Sequence, residues 1–404
     1  MYRRKRTSDT FRKSATYLSA LLSSVVLIAI IVFVIINGSG LLSIKLLVSD
    51  YHPKNYSLED KTNKLDRSLS PFEKPSNLNE NEYFSYDYGI TLKDSKDSEG
   101  KNVVVISRLD KRSPLYRMDD KSDPQNTVQL KTGFEINTII FDNGSVTSRN
   151  GAEMMVLRLE EANYIETMSL SSGGGGIRGS LLTTFVLIIL TLAIALPFGI
   201  LTAIYLNEIA SKNKFNDILR SLIDMLTGIP SIIYGLMGAA LFVPFSMNVF
   251  KTQGGSLISG SLTLAIIVLP VIIKATEEAL IVVPRPYKDA SYALGANMTQ
   301  TTFKVVLPNA LPGILSATLL SIGRIIGESA ALIYAIGTAI KDDVSIFDKG
   351  TSLAVHMWAV MAGEVPNLEM ASSIAIILLV LVLILNVSVK LISHRFLKKY
   401  EGAL

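Results

Sequence analysis

Apolar residues gather along this chain in six long runs separated by polar stretches of very unequal length. The runs cover approximately residues 17–36, 181–206, 222–245, 257–283, 311–340 and 372–392. A bilayer core takes roughly 20 apolar residues at about 1.5 Å rise each, so every run predicts one membrane-spanning helix. The pattern changes between residues 38 and 176. Up to about Glu82 the segment is polar, rich in Lys, Asn, Ser and Asp, and reads as an extended tether. Beyond it come strand signals: the apolar run 103–106, alternation at Phe134, Ile136, Thr138 and Ile140, and a further candidate at residues 154–159. Asp142-Asn143-Gly144 suits a hairpin turn, because Asn and Gly tolerate positive φ. This predicts a small β-rich domain, serving either as a folded spacer or as a docking surface. The glycines at 173–176 read as a flexible hinge into the second span.

The predicted fold class is therefore an all-α polytopic membrane protein with six transmembrane helices and a small β-rich insertion between helices 1 and 2. Its parts are residues 1–37, 38–176 and 177–404. Basic residues set the orientation. Arg3, Arg4, Lys5, Arg6, Arg12 and Lys13 precede the first span. Lys212, Lys214 and Arg220 lie between the second and third; Arg285, Lys288 and Lys304 lie between the fourth and fifth; Lys390, Arg395, Lys398 and Lys399 follow the sixth. All fall on one face, which the positive-inside rule makes cytoplasmic, together with both termini. The first run is longer than a signal-peptide core and no A-x-A site follows it, so a retained anchor is expected.

Composition narrows the chemistry. Of 404 residues 49% are hydrophobic, none is cysteine and three are histidine (His52, His356, His394). Disulfides, thiolate sites and cysteine nucleophiles are excluded, and no metal site is expected. A net charge of +4 offers no argument for nucleic acid.

Helix punctuation is dense in residues 284–310. Pro286 suits a first helical position for residues 287–294, and Gly295 a left-handed terminator. Asn297 with Gln300 resembles a cap for a second helix through Leu307, which Pro308 ends. Two short helices meeting at a glycine make a knob, with Tyr292, Phe303 and Val306 available to pack.

Asp289, Ala290, Ser291, Gly295, Val305, Leu307 and Pro308 stand as D-A-S-x3-G-x9-V-x-L-P. This resembles the E-A-A-x3-G-x9-I-x-L-P coupling loop of ABC importer permeases, with Asp for Glu and Ser for the second Ala. In that family the loop sits in a groove of a cytosolic ATPase. Three further stretches resemble phosphate-specific permeases of the PstA and PstC type, PstA most closely. They are G-I-P-S-I-I-Y-G at 228–235, ATEEALIVVPRPYKDASYALGA at 275–296 and SIGRIIGESAAL at 321–332. The likeness runs from about Gly174 to the C-terminus and does not reach the outer segment.

The resemblance implies a bacterial inner-membrane permease subunit that imports inorganic phosphate by alternating access. It implies as partners a second homologous permease subunit, two copies of a cytosolic ATPase subunit, an extracytoplasmic phosphate-binding protein and the lipid bilayer. ATP and Mg would be used by the ATPase, with no cofactor in this chain; no Walker A sequence occurs in it. For the substrate pathway the candidates are Ser231, Tyr234, Arg324 and Glu328. Arg324 lies about 18 Å along a helix counted from Pro312, where a charge faces a cavity or a partner, and a guanidinium matches phosphate oxygens. Glu328 stands at i,i+4 to it, so the two could equally form a structural pair. Pro230 predicts a kink inside the third span, and Lys274, Glu277 and Glu278 read as a solvated extension of the fourth. Two rivals stay open: a permease for another oxyanion, and a membrane sensor whose outer domain binds a ligand. An intramembrane hydrolase finds no H-E-x-x-H or G-x-S-x-G motif.

Overall fold

Between Tyr17 and Ile36 no proline or charge interrupts the apolar run, and α1 (Tyr2–Gly38) forms one helix of 37 residues. The structure, a computed structural model, describes residues 2–59, 72–96, 102–121, 123–211, 213–363 and 366–401. The chain divides into Leu47–Gly176 and a second unit made of Met1–Leu46 with Ile177–Leu404. A short helix, α2 (Ile44–Val48), spans the first junction.

The Leu47–Gly176 unit is built on an antiparallel sheet. Its nine strands among the described residues are β1 (Asn55–Glu59), β2 (Glu82–Ser85), β3 (Ile90–Lys96), β4 (Asn102–Leu109), β5 (Arg117–Asp120), β6 (Asp123–Gln129), β7 (Phe134–Phe141), β8 (Gly144–Thr147) and β9 (Ile165–Ser172). They run in the order β2-β3-β4-β7-β9-β1-β5-β6, with β8 paired to β7. The turn expected at Asp142-Asn143-Gly144 joins β7 to β8, Phe141 facing Gly144. Irregular register between Ile136 and Thr138 interrupts the simple alternation of β7, which places Ile136 and Ile139 inside and leaves Ile140 exposed.

Three expectations for this unit are corrected. Residues 154–159 are not a strand but the middle of α3 (Gly151–Glu161). Ala152, Met155, Val156 and Leu159 recur at helical spacing and form its buried face, while Asp94 accepts a hydrogen bond of 2.8 Å from the Ala152 amide at its positive end. The stretch from Gly38 to Glu82 is not simply a tether, because β1 lies inside the sheet between β9 and β5 with Leu58 fully buried; residues 60–71 lie outside the described residues. Finally, the glycines at 173–176 are not a loose hinge. Gly175 and Gly176 donate to the Tyr51 and Asp50 carbonyls at 2.8 and 3.0 Å, so the two ends of the unit are bonded to each other. Leu58→Ala is expected to destabilise this unit by about 2–5 kcal/mol, the usual result of emptying a packed leucine site. Hydrogen exchange of the β1 and β9 amides in the full chain measures it; unchanged protection would place β1 outside the core.

In the other unit six helices among the described residues are long and apolar enough to cross a membrane: Lys13–Leu41, Arg178–Ile209, Ser231–Phe250, Leu257–Val282, Met298–Gly327 and Leu368–Ser393. They comprise part of α1; α4 (Arg178–Ile204) with a π-helical turn, Tyr205–Ile209; and, after α5 (Lys214–Thr227), α6 (Ser231–Met237) running through a second π turn into α7 (Val243–Phe250). Next come α8 (Leu257–Val282), the short α9 (Arg285–Ala293), and α10 (Met298–Thr301), which a third π turn, Thr302–Val306, joins to α11 (Leu307–Gly327). The unit ends with α12 (Ala330–Ala335), α13 (Leu353–Ala362) and α14 (Leu368–Glu401). The most apolar stretch of α8 is 67% buried and that of α1 0%, so α8 is the central helix and α1 a peripheral one. Around α8, one apolar cluster includes Leu187, Val268, Ile325 and Leu332; another, at its α9 end, includes Ile204, Leu206, Ile223, Leu280 and Val306.

Two span boundaries differ from expectation. The third does not run over residues 222–245. Instead Gly228, Ile229 and Pro230 separate the amphipathic α5, which exposes Phe215, Ile218, Leu222 and Met225, from a span beginning at Ser231. Pro230 is thus the N-cap of α6 rather than an internal kink, a position where its missing N–H leaves no helical bond unmade. The fifth span ends early: the backbone turns extended at Glu328 (φ −78, ψ 115) and resumes as α12. Glu277 departs from the expected solvated extension, its side chain being only 13% exposed, whereas the Lys274 side chain is 40% exposed as expected. Lys274 pairs with Asp224 at 2.7 Å and Glu277 with Arg220 at 2.8 Å, because α5 lies beside the last turns of α8. Glu278 is exposed as well, so of the three only Glu277 is enclosed.

Candidate functional site

The knob between α8 and α11 follows from its punctuation. Val283 ends α8, Pro284 caps α9, and Pro286 occupies its first turn. Gly295 takes φ +85, the left-handed region in which a Cβ is penalised, and turns the chain back. Asn297 and Gln300 then close a capping box, each side chain accepting from the other residue's backbone N–H at 2.8 and 3.0 Å. Beyond the turn, Ser291 Oγ and Thr301 Oγ1 are hydrogen-bonded at 2.8 Å, joining α9 to α10.

Pro308 does not end the second helix. It lies in the first turn of α11, which is continuous with α10 from Met298 to Gly327. The π turn at Thr302–Val306 widens the backbone just ahead of the proline, and the Asn309 side-chain Nδ2 donates to the Val305 carbonyl at 2.6 Å. The knob is therefore rigidly continuous with a membrane-spanning helix. Val306 is fully buried, Val305 and Leu307 are half-buried, and Pro308 packs beside them. Asp289 and Ala290 are exposed, as are Tyr287, Tyr292, Met298 and Phe303, and Leu294 at the tip is 90% exposed. These large apolar side chains, with Asp289 among them, form an exposed patch on the knob.

No side chain of α9 is buried, yet α9 is not loose. Lys288 Nζ donates to both carboxylate oxygens of Glu208, at 2.7 and 2.9 Å, and the Glu208 side chain is only 6% exposed. Asn207 adds a donor at 2.7 Å. Glu208 stands in the π turn that ends the second span. This pair escaped the reading of the sequence. Its one local signal is an acid two positions after Leu206, where the apolar run ends; nothing in the chain links it to a lysine 80 residues on.

The second candidate group lies within the membrane-spanning part. Arg324 is in the last turn of α11, half-buried, and its guanidinium is within electrostatic reach of Tyr234 on α6. Tyr234 is buried and donates to the Leu226 carbonyl at 2.7 Å. Ser231 begins α6 one turn earlier. One turn further on, Gly238 packs against Thr263, about 9 Å along α8 from its start. The Arg324–Glu328 pair offered by their spacing is not formed: the helix stops at Gly327, so i,i+4 geometry no longer applies. Glu328 turns instead to accept from the Ala331 amide at 3.3 Å, at the start of α12. Among the described residues Arg324 takes part in no ion pair. Gly235 lets α6 approach the Ala331 backbone, where a side chain would collide, and so draws α6 and α12 together beside Arg324.

Comparison with known proteins gives concordant results. Residues 195–398 match the family described as "Binding-protein-dependent transport system inner membrane component". The chain is 32% identical over 252 residues to a probable ABC transporter permease protein, YqgI, of Bacillus subtilis, covering 58% of this chain and 84% of that protein. It is 40% identical over 164 residues to the phosphate transport system permease protein PstA 2 of Mycobacterium bovis, covering 41% of this chain and 52% of that one. Among solved structures, an inward-facing MetNI methionine ABC transporter chain aligns with 55% of this chain and 95% of its own length, at 24% identity and a TM-score of 0.43.

Proposed function

Because the chain belongs to the family of binding-protein-dependent transport system inner membrane components, we propose that it forms the membrane pathway of an ATP-driven importer of inorganic phosphate. It is a multi-pass membrane permease subunit, not an enzyme. The observation that carries the phosphate reading is Arg324: a guanidinium that takes part in no ion pair among the described residues, on a helix long and apolar enough to cross a membrane and within electrostatic reach of the buried Tyr234. A charge in that setting is costly unless it serves a passing ion, and the guanidinium fork fits the oxygens of phosphate. The likeness to a relative named for phosphate transport supports the same cargo.

In this reading the basic end of the bundle is cytoplasmic and holds both termini. The exposed face of α9 and the Leu294 tip dock into a cytosolic ATPase, one of two copies, that uses ATP and Mg. A second homologous permease subunit completes the pathway, and a phosphate-binding protein delivers the ion from outside. ATP binding draws the two ATPases together, moves the knob and turns the opening of the pathway, a rigid-body switch between two packings. Asp289, Ala290, Ser291, Gly295, Val305, Leu307 and Pro308 serve the coupling; Ser231, Tyr234, Arg324 and Glu328 line or shape the pathway.

Uptake of radiolabelled phosphate tests it. Uptake is expected to disappear on deletion of the gene and to resist a large excess of molybdate or sulfate. Competition by either would make the cargo another oxyanion. Failure of an ATPase to co-purify with the chain would favour the sensor reading, in which the Leu47–Gly176 unit binds a ligand and the spans report it.

A further inference from the structure

Resting on the permease reading, we propose that Lys288 and Glu208 are a pair of positioning residues. They form the connection through which movement of α9 is passed to the second span. The argument begins with how little holds α9. It has no buried side chain, and among the described residues its side chains make two polar ties only, Ser291 to Thr301 and Lys288 to Glu208. The first stays within the knob. The second crosses to the π turn that follows α4, so of the two it alone joins α9 to a span other than the one the knob itself runs into.

The chemistry of the pair suits a mechanical link. Both Glu208 oxygens are engaged by one ammonium group, at 2.7 and 2.9 Å, and the carboxylate is nearly excluded from solvent. An isolated charge there is strongly disfavoured once its partner leaves, so the two side chains move together. Asn207 orients the carboxylate from the neighbouring position at 2.7 Å.

The location adds the rest. Glu208 belongs to a π turn, a wide single turn in which the backbone changes its path at modest cost. The carbonyl of Leu206 in the same turn accepts from Arg220 at 2.6 Å, and Arg220 also pairs with Glu277 on α8 at 2.8 Å. Lys274 to Asp224, at 2.7 Å, closes the set. A pull on Lys288 therefore reaches the end of α4 first, and through Arg220 it reaches α5 and α8. At its other end the knob runs unbroken into α11. Movement of the knob is thus delivered to α4 and α11, which both pack on α8.

The test uses the assembled transporter in proteoliposomes, with inorganic phosphate as the probe. The variants are Lys288→Met, Glu208→Gln and the reversed pair Lys288→Glu with Glu208→Lys. Both single variants are expected to co-purify the ATPase and to hydrolyse ATP. Phosphate moved per ATP should fall about tenfold, within the range of ordinary coupling between sites, and the reversed pair should recover most of it. Wild-type stoichiometry in the singles would overturn the proposal. So would a reversed pair no better than the singles, or loss of ATPase co-purification in Lys288→Arg, which keeps the charge. If the unaltered complex shows no ATP-driven phosphate uptake, the permease reading for phosphate fails instead, and the ratio of hydrolysis with and without the binding protein still reports on the pair.

Discussion

Arg324→Ala leaves the protein in the membrane with its ATPase bound and lowers phosphate uptake by roughly tenfold to a hundredfold. That is the equivalent of one charge-assisted hydrogen bond of about 1.5–3 kcal/mol. Assembly survives because Arg324 makes no ion pair among the described residues whose loss would strand a second charge. Arg324→Lys is a sharper variant. It keeps the charge but replaces a planar fork by a point donor, so uptake falls less than with alanine and selectivity over sulfate and molybdate weakens. Transport measured with each variant at equal membrane abundance checks this. Unchanged uptake in Arg324→Ala would remove Arg324 from the pathway.

Gly295→Trp loses the ATPase altogether. Nothing lies within 4 Å of a Cβ placed at Gly295, so the first atom of a side chain meets no neighbour in the isolated chain. Two costs remain. One is backbone strain, since φ +85 costs a non-glycine residue about 1–2 kcal/mol. The other is bulk added beside Leu294, at the tip that would enter the ATPase. Gly295→Ala separates them, because it carries the strain without the bulk. Co-purification from detergent extracts is expected to be kept largely by alanine and abolished by tryptophan. Equal loss in both would mean that the shape of the turn, not the space around it, determines docking.

Much of the knob between α8 and α11 was legible in advance because its signals are local. Pro286, Gly295 and the Asn297–Gln300 cap act on backbone within one or two turns, and the structure uses each as its chemistry requires. Pro308 misled for the same reason. A proline that ends one helix and a proline inside the first turn of the next look alike until the π turn that joins the two is seen. Residues 154–159 misled because a short apolar run fits strand or helix, and only packing of Met155 and Leu159 beneath the sheet decides. β1 was missed because five polar-looking residues gain their place from partners on β9 and β5 that lie 60 or more positions away in sequence.

Six spans, an inserted β-rich unit and a turn-helix knob were inherent in the order of apolar, polar and helix-breaking residues, since each depends on hydrophobicity and backbone preference over a few neighbours. The meeting of Lys288 with Glu208, the partnering of Lys274 and Glu277 with α5, and the separation of Arg324 from Glu328 were not. Those depend on which helices pack side by side and where a helix stops, and ionic pairs across helices carry no periodicity in the chain. The tertiary structure alone decides them, because a charge buried between helices is stable only beside the partner that the packing supplies.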